Sequence, residues 1–353
     1  MTGSWLLYGA TGYTGRLVVA EAVRRGLSPV LAGRDPEKLA RLAGPLGLPY
    51  RAVSLDDPAR LARALDGVRV VLNAAGPFAK TALPLAAACL EAGAHYLDLA
   101  GEIDVFAALQ SRDAEARSRG TLLLPGVGFV VVPSDCLAAH VARRLPSPHW
   151  LRLAISRSPV LSRGSARTLV ELIDHGAQIR KEGRMTRLPW DRAGRRIDFG
   201  TGEGLRPCLV LPWADACTAF FTTGIGNVEV CVEVSPWEEM AFESGRFYST
   251  LLGVSNWKRL LKGPVAILPE GPSQAERERH QRTILAVVGD ATGGRAASRL
   301  VTPDSYTLTA TAAVTAVGKV LAGVAPPGFH TPAGAFGADF VLELRGMARE
   351  DLV

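Results

Sequence analysis

Gly9-Ala10-Thr11-Gly12-Tyr13-Thr14-Gly15 is a glycine-rich run near the start of the sequence, and it is the strongest indication of the fold. The run follows an apolar segment at residues 4–8, which predicts a first β-strand, and it opens a segment at residues 14–25 with helical spacing of apolar residues. Glycines at such a turn let a pyrophosphate approach the backbone, and the N–H groups of the helix N-terminus face its negative charge. The setting predicts dinucleotide binding; the alternative is a tight turn that binds nothing. The residues expected to contact the dinucleotide are Gly9, Thr11, Gly12, Tyr13, Thr14 and Gly15.

Apolar segments alternate with amphipathic segments from this turn to about residue 130. The predicted strands lie at residues 4–8, 29–32, 51–54, 69–73, 95–99 and 121–124, and the predicted helices at residues 14–25, 36–43, 58–65, 83–92 and 105–117. Strands that alternate with helices of this length are typical of a parallel sheet covered on both faces. The first part of the chain is therefore predicted to be α/β, a Rossmann-type doubly wound parallel sheet.

The pattern changes after residue 130, where strands and longer loops predominate. Strands are predicted at residues 151–156, 228–234, 284–288 and 295–301, with a hairpin turn at 291–294 and a helix at 306–321. This mixture predicts a second, α+β domain.

Composition excludes several classes of protein. The chain has 353 residues, of which 48% are hydrophobic and 21% charged, as in ordinary soluble proteins of two domains. Charged residues interrupt every long apolar run, so no membrane span is expected. The net charge of +6 is spread among acidic residues, which favours a solvated surface over nucleic-acid binding. Five cysteines without a C-x-x-C pair, and no signal peptide, predict no metal site and a cytoplasmic location.

The end of the second predicted strand bears on cofactor choice. NAD-binding sites place an acidic residue there to accept from the ribose 2′-OH, whereas this chain has Ala32 and Gly33 followed by Arg34. Because arginine binds phosphate with two N–H groups, the sequence predicts NADP(H). Asp35 leaves an alternative open, since it could pair with Arg34 or bind a ribose.

The run Asn73-Ala74-Ala75-Gly76-Pro77 ends the fourth predicted strand. Ligands of open parallel sheets lie beyond the carboxyl ends of the strands, and small residues there let the backbone approach the nicotinamide. We therefore assign Asn73, Ala74, Ala75, Gly76 and Pro77 to the cofactor site. Asp56, at the same edge, is a candidate for the adenine, although an exposed loop acid is an equal alternative.

With these residues considered, the chain resembles the saccharopine dehydrogenase-like oxidoreductases, and within them the short bacterial branch that includes the trans-acting enoyl reductases. The matching pieces span nearly the whole chain and are the glycine run, Ala32-Gly33-Arg34, Asn73 to Pro77, Ala92 to Glu102, Pro125 to Phe129, Pro133-Ser134-Asp135, Pro212-Trp213-Ala214-Asp215, Thr223 to Glu229 and Thr331-Pro332-Ala333. Two positions depart from the family pattern: Val130 stands where an Asp is frequent, and Gly226 where a Pro is frequent.

The resemblance implies NADP(H), hydride transfer and a chain that returns to its first domain. The predicted divisions are an NADP-binding domain at residues 1–130, a substrate and dimerisation domain at 131–325, and a C-terminal segment at 326–353 that packs on the first domain. Thr331 is expected to cap a helix whose first residue is Pro332.

Proton donors are harder to identify than cofactor residues. The Tyr-x-x-x-Lys pair of short-chain dehydrogenases is absent. Tyr96, Asp98 and Glu102, around the end of the fifth predicted strand, are the catalytic candidates, because a buried carboxylate there could have a raised pKa. The alternative is that both acids cap the next helix, and His95 is expected to be structural.

The predicted function is an NADP(H)-dependent oxidoreductase that transfers hydride to or from a small or lipid-like metabolite, acting as a homodimer. Thr223 and Trp213 are the predicted substrate residues, with the alternative that residues 222–227 are a simple turn. A non-catalytic NADP(H) sensor or scaffold is the second hypothesis, and an isomerase that uses the cofactor transiently is the third.

Overall fold

The glycine run joins the first strand to the first helix in a computed structural model that describes residues 2–157, 162–163, 176–189, 192–236, 238–240 and 269–352. The strands described are, in chain order, β1 (Thr2–Tyr8), β2 (Ser28–Gly33), β3 (Tyr50–Ala52), β4 (Val70–Asn73), β5 (His95–Asp98), β6 (Leu122–Leu124), β7 (Trp150–Ile155), β8 (Ala177–Lys181), β9 (Arg184–Leu188), β10 (Gly194–Asp198), β11 (Leu205–Val210), β12 (Asn227–Glu233), β13 (Gln281–Gly289), β14 (Arg295–Pro303), β15 (Gly328–Phe329) and β16 (Ala348–Leu352).

Helices follow most of the strands of the first half. They are α1 (Tyr13–Arg24), α2 (Pro36–Ala43), α3 (Pro58–Ala64), α4 (Phe78–Ala92), α5 (Ile103–Gln110), α6 (Asp113–Ser118), α7 (Val132–Ala142), α8 (Asp215–Thr223), α9 (Gln274–Arg279), α10 (Ser305–Leu321) and α11 (Pro332–Phe336). The predicted helix at 105–117 is in fact two helices, α5 and α6, and the one at 83–92 begins earlier, at Phe78.

The first sheet has seven parallel strands in the order β15-β6-β5-β4-β1-β2-β3. Its central strands are apolar and buried, since helices flank the sheet; Leu7, Leu72 and Leu97 have no exposed surface. All carboxyl ends of parallel strands lie at one edge, where the glycine run is also found. The predicted α/β fold with a Rossmann-type sheet is confirmed.

The second sheet is mixed, with the order β10-β11-β12-β7-β13-β14-β16 and the hairpin of β8 and β9 attached to β12. Strands β7 and β12 are parallel, and the other neighbours are antiparallel. Ala154, Phe199, Val210 and Cys231 are among the buried residues of its core. The predicted second α+β domain is confirmed.

The chain forms two units, and each is discontinuous in sequence. The first unit is Met1–Val132 with Ser305–Arg345, and the second is Pro133–Asp304 with Gly346–Val353. This division differs from the predicted bounds, which placed α10 in the second domain and everything after residue 326 in the first. Helix α10 belongs to the first unit because it packs on α1, where the rings of Tyr13 and Tyr306 meet edge to face at 5.2 Å. Strand β16 belongs to the second unit because it pairs with β14.

Two further expectations can be compared with the described residues. Thr331 caps α11 as predicted, with its side chain accepting from the Gly334 N–H, and Pro332 is the first residue of that helix. Within the described part of the chain, no helix is both long and apolar enough to cross a bilayer.

Candidate functional site

The three glycines of the turn are required for different reasons. Gly9 has φ +84°, and a Cβ built there would lie 2.7 Å from the backbone nitrogen of Ala75. A Cβ on Gly15 would overlap the carbonyl oxygen of Gly9. Gly12 has an ordinary φ of −71°, and the nearest atom to its Cβ would be 3.4 Å away. The protein itself therefore excludes side chains at Gly9 and Gly15, whereas at Gly12 it leaves an open place of the kind that a pyrophosphate needs.

The N-terminus of α1 is suited to an anion. Gly12 is its N-cap residue, no side chain caps the helix, and its first turn has no acidic residue. Arg16 donates to the Thr11 carbonyl at 2.8 Å and holds the turn closed. The residues present thus fit the phosphates of a dinucleotide. Thr14 is half-buried, and the ring of Tyr13 packs on Tyr306, so the described contact of Tyr13 is structural.

Arg34 is exposed directly after β2. Its neighbour Asp35 is the N-cap of α2, accepts from the Lys38 N–H at 3.0 Å and pairs with the Lys38 ammonium at 3.3 Å. Asp56 is also exposed, and it accepts from the Ser54 hydroxyl at 3.0 Å. Arg34 therefore remains the basic group available at the end of β2.

Asn73 is fully buried, and its amide fixes the loop that follows β4. Its Oδ1 accepts from the Ala75 N–H at 3.0 Å, and its Nδ2 donates to the hydroxyls of Thr81 and Tyr96, each at 3.2 Å. The Ala74 N–H donates to the carbonyl of Tyr8 at 2.8 Å. The loop of Ala74, Ala75, Gly76 and Pro77 therefore lies beside the glycine turn, and Asn73 holds it from behind.

Tyr96 and Asp98 are joined by a hydrogen bond beneath this edge of the sheet. The Tyr96 hydroxyl donates to Asp98 Oδ2 at 2.9 Å, while Asp98 Oδ1 accepts from the N–H groups of Ala100 and Gly126, both at 2.9 Å. Both side chains have no exposed surface. Burial raises the pKa of Asp98 to about 7, against the lowering effect of its hydrogen bonds, and burial also raises the pKa of Tyr96. The expected raised pKa is present, but the carboxyl is not open to a ligand.

Glu102 is half-buried and connects two loops. One carboxylate oxygen accepts from the Gly101 N–H at 2.9 Å and the other from the Phe78 N–H at 3.4 Å, at the start of α4. Glu102 is the N-cap residue of α5, but its side chain does not cap that helix. Among the three catalytic candidates, Glu102 is the one whose side chain is partly exposed. His95 accepts from the Leu122 N–H at 3.0 Å and burial lowers its pKa, as befits a structural role.

The predicted substrate residues lie around α8 in the second unit. Thr223 ends this helix, where its hydroxyl donates to the Ala219 carbonyl at 2.5 Å and accepts from the Ile225 N–H at 3.2 Å. Asn227 accepts from the Glu182 N–H at 3.0 Å and donates to the His149 carbonyl, so its amide fixes the turn. Trp213 is half-buried just before the helix.

Sequence reasoning assigned no role in the site to two acids that are buried in the second unit. Asp215 and Asp135 are both without exposed surface; Asp215 accepts from the Ser134 hydroxyl, and Asp135 accepts from the Thr222 hydroxyl at 2.5 Å. Burial raises the pKa of Asp215 to about 7. The signal was present, because both acids lie in pieces that match the family, Pro133-Ser134-Asp135 and Pro212-Trp213-Ala214-Asp215.

Known proteins are similar to this chain in sequence and in fold. Residues 5–124 match the saccharopine dehydrogenase NADP-binding domain. A trans-acting enoyl reductase of Mycobacterium ulcerans is 34% identical over 288 residues, which cover 74% of this chain and 67% of that protein. The chain belongs to the saccharopine dehydrogenase-like oxidoreductase family. As a member of this family it is an NADP-dependent oxidoreductase with an NADP-binding domain at its N-terminal side.

A second relative and a solved structure are also similar to this chain. A trans-acting enoyl reductase of Mycobacterium tuberculosis is 32% identical over 148 residues, which cover 39% of this chain and only 35% of that protein. The saccharopine dehydrogenase of Saccharomyces cerevisiae has a similar structure, with a TM-score of 0.67 over 99% of both chains at 12% identity. That likeness shows a shared fold.

Proposed function

We propose that this family member reduces the carbon–carbon double bond of an α,β-unsaturated acyl group, with NADPH as the reductant. The observation that carries the proposal is the 34% identity with a trans-acting enoyl reductase across most of the chain. NADPH would supply a hydride to the β-carbon, and a proton from the protein or solvent would complete the saturated product. The chain's own residues bind the cofactor, orient it and exclude water.

The proposed cofactor residues follow from the geometry of the first unit. The N-terminus of α1 and the open place at Gly12 would hold the pyrophosphate, with the Thr11 and Thr14 hydroxyls beside it. Arg34 would bind the 2′-phosphate, because Asp35 is engaged by Lys38. The backbone of residues 74–77, which Asn73 fixes from behind, would face the nicotinamide. Glu102 is the candidate for holding a proton, since it is partly exposed.

The proposed acyl site lies on α8 and the residues before it. Phe221 is 37% exposed, its ring lies 6.1 Å from that of Phe220, and Trp213 is half-buried nearby in the chain. Exposed aromatic side chains of this kind favour an apolar substrate. Thr223 would contribute to the acyl site indirectly, because its hydrogen bonds fix the C-terminal end of α8.

A deuterium-transfer experiment tests this function. NADPH carrying two deuterium atoms at C4 is incubated with the protein and with 2-enoyl thioesters of short and long chain. We expect NADPH consumption and a saturated thioester with one deuterium at the β-carbon, detected by mass spectrometry, with long chains preferred. Consumption only with a carbonyl or imine substrate would contradict the enoyl assignment. Tight NADPH binding without turnover of any substrate would favour a sensor, and turnover without net consumption would favour an isomerase.

We further propose that the protein is a cytoplasmic homodimer. All five cysteines have free, buried thiols, which suits a reducing compartment. Sedimentation of the purified protein at micromolar concentration measures the oligomeric state, and a mass of one chain would refute the dimer.

A further inference from the structure

Three loops at the carboxyl edge of the first sheet are connected by buried side chains. The loops follow β4, β5 and β6, and the connection runs from Asn73 through Tyr96 to Asp98. At one end, Asn73 accepts from the backbone N–H of Ala75; at the other, Asp98 accepts from that of Gly126. The three side chains have no exposed surface, so none of them can touch a ligand directly.

The direction of these hydrogen bonds is fixed by the backbone at both ends. Because Asn73 uses its oxygen for the Ala75 N–H, its Nδ2 must donate toward the Tyr96 hydroxyl. Because an ionised Asp98 carboxylate only accepts, the hydroxyl proton of Tyr96 points at Asp98 Oδ2 in that state. The phenol hydroxyl, which accepts on one side and donates on the other, satisfies both neighbours here.

The loop held at the Asn73 end is also the loop that packs on the glycine turn. The backbone of Ala74 and Ala75 lies so close to Gly9 that a Cβ there would be within 2.9 Å of both residues. A shift of the Asn73 amide would therefore move the wall of the proposed cofactor site. Asp98 fixes the loop after β6 through two contacts. Its side chain accepts from the Gly126 N–H, and its backbone carbonyl accepts from the Val127 N–H at 2.8 Å.

We propose that Tyr96 and Asp98 are positioning residues for NADPH binding, which act through Asn73 and the loops after β4 and β6 rather than by touching the cofactor. The proposal rests on the cofactor site proposed above. Tyr96 and Asp98 would thus shape the cofactor site, whereas the sequence analysis had proposed them as proton donors.

A double-mutant cycle on NADPH affinity tests the proposal. Tyr96→Phe leaves Asp98 Oδ2 without its donor, and Asp98→Asn places a second donor against the Tyr96 hydroxyl. Each change disturbs a buried hydrogen-bonded group, so each should raise the Kd for NADPH by about tenfold. Since both act on one network, the double variant should also lose about tenfold rather than a hundredfold. Dissociation constants are measured by cofactor fluorescence well below the melting temperature of each variant.

Asp113→Ala is the matched control, because Asp113 accepts from the Phe329 N–H at 2.7 Å in the same unit and is not among the hydrogen-bonding partners described for Asn73, Tyr96 or Asp98. It should lower the melting temperature without changing the Kd. Unchanged affinity in Tyr96→Phe, additive losses in the double variant, or an equal loss in the control would each overturn the positioning role. If Asp98→Asn does not fold, Tyr96→Phe and the control decide. The cycle measures cofactor affinity alone, so it remains a valid test of the positioning role even if the protein does not reduce enoyl thioesters. If the unchanged protein does not bind NADPH, the positioning role is overturned.

Discussion

Gly12 is the glycine of the turn at which the fold itself tolerates a side chain. Its φ is −71°, and an added Cβ would have no protein atom closer than 3.4 Å. Gly12→Ala should therefore fold with an unchanged melting temperature and yet bind NADPH more than about tenfold more weakly, a loss of 1.4 kcal/mol or more. Gly44→Ala, at a helix end with no atom within 4 Å, is the control and should bind normally. Normal NADPH binding by Gly12→Ala would place the pyrophosphate elsewhere.

Arg34 sets the expected preference for NADPH over NADH. A charge-assisted hydrogen bond contributes roughly 1.5–3 kcal/mol, so Arg34→Ala should weaken NADPH binding by about ten- to a hundredfold and leave NADH binding nearly unchanged. Arg41→Ala, at an exposed arginine within α2, should change neither. Calorimetric titration with both cofactors gives the ratio; equal losses for the two would refute the assignment.

Asp98 should make the folded state less stable as the pH rises. Its pKa is about 7 when folded and 3.8 when unfolded, so between these values the folded chain keeps a proton that the unfolded chain has lost. Ionisation of Asp98 therefore does not affect the free energy of unfolding below about pH 4. Between pH 4 and pH 7 it lowers that free energy by an amount that grows to the order of 4 kcal/mol. The difference in unfolding free energy between Asp98→Asn and the unchanged protein, from urea melts at pH 4.5 and 8, should shift in favour of the variant at pH 8. A pH-independent difference would mean that Asp98 is ionised throughout.

Elements with a regular pattern are the ones that the sequence predicts. The alternation of β1 to β6 with helices follows from apolar runs and capping residues such as Asp35 and Thr331. Helix α7 has no predicted bounds because nearly all its residues, polar ones included, are buried, so no exposed polar face gives a period. Strand β15 has only two residues, and β9 and β16 are largely exposed, so neither length nor burial marked them.

The site illustrates the same limit at the level of side chains. That Asn73, Asp98 and Glu102 gather at one edge follows from the parallel sheet. Whether each faces a ligand or its neighbours depends on rotamers and on loops after other strands, as with the contact of Asp98 and Gly126. Sequence reasoning thus located the edge, and only the structure separated buried residues from exposed ones.

The end of α8 provides a test of the proposed acyl site. Thr223→Val removes the bonds to Ala219 and Ile225 at nearly constant volume, which should cost about 1 kcal/mol of stability. If the helix end shapes the acyl site, turnover should fall while the NADPH Kd stays constant. Thr311→Val is the control, since Thr311 makes a comparable bond to the Thr307 carbonyl in α10. Equal turnover in both variants would leave Thr223 with a structural role alone.

At the scale of the molecule, truncations should separate the two units. Ending the chain after Arg345 removes β16, whose Asp351 accepts from Ser298 and contacts His140, each at 2.7 Å. We expect the second unit to lose stability and NADPH affinity to persist. Ending it after Pro327 also removes β15 and α11 from the first unit, and NADPH binding should then be lost. Normal binding by the shorter chain, measured by cofactor fluorescence, would show that the returning segment does not support the site.

The discontinuity of the first unit also sets an order of events during synthesis. Residues 1–132 include the glycine turn and six strands, but the Phe129 N–H receives its partner, the Thr309 hydroxyl, only from α10. A ribosome adds roughly 5–20 residues per second, so the nucleotide-binding unit must wait on the order of ten seconds while residues 133–304 are made. Throughout that interval the edge at β6 lacks β15 and the apolar surface of α1 lacks α10. An N-terminal fragment expressed alone is therefore expected to aggregate, and a nascent chain is expected to depend on chaperones at this stage.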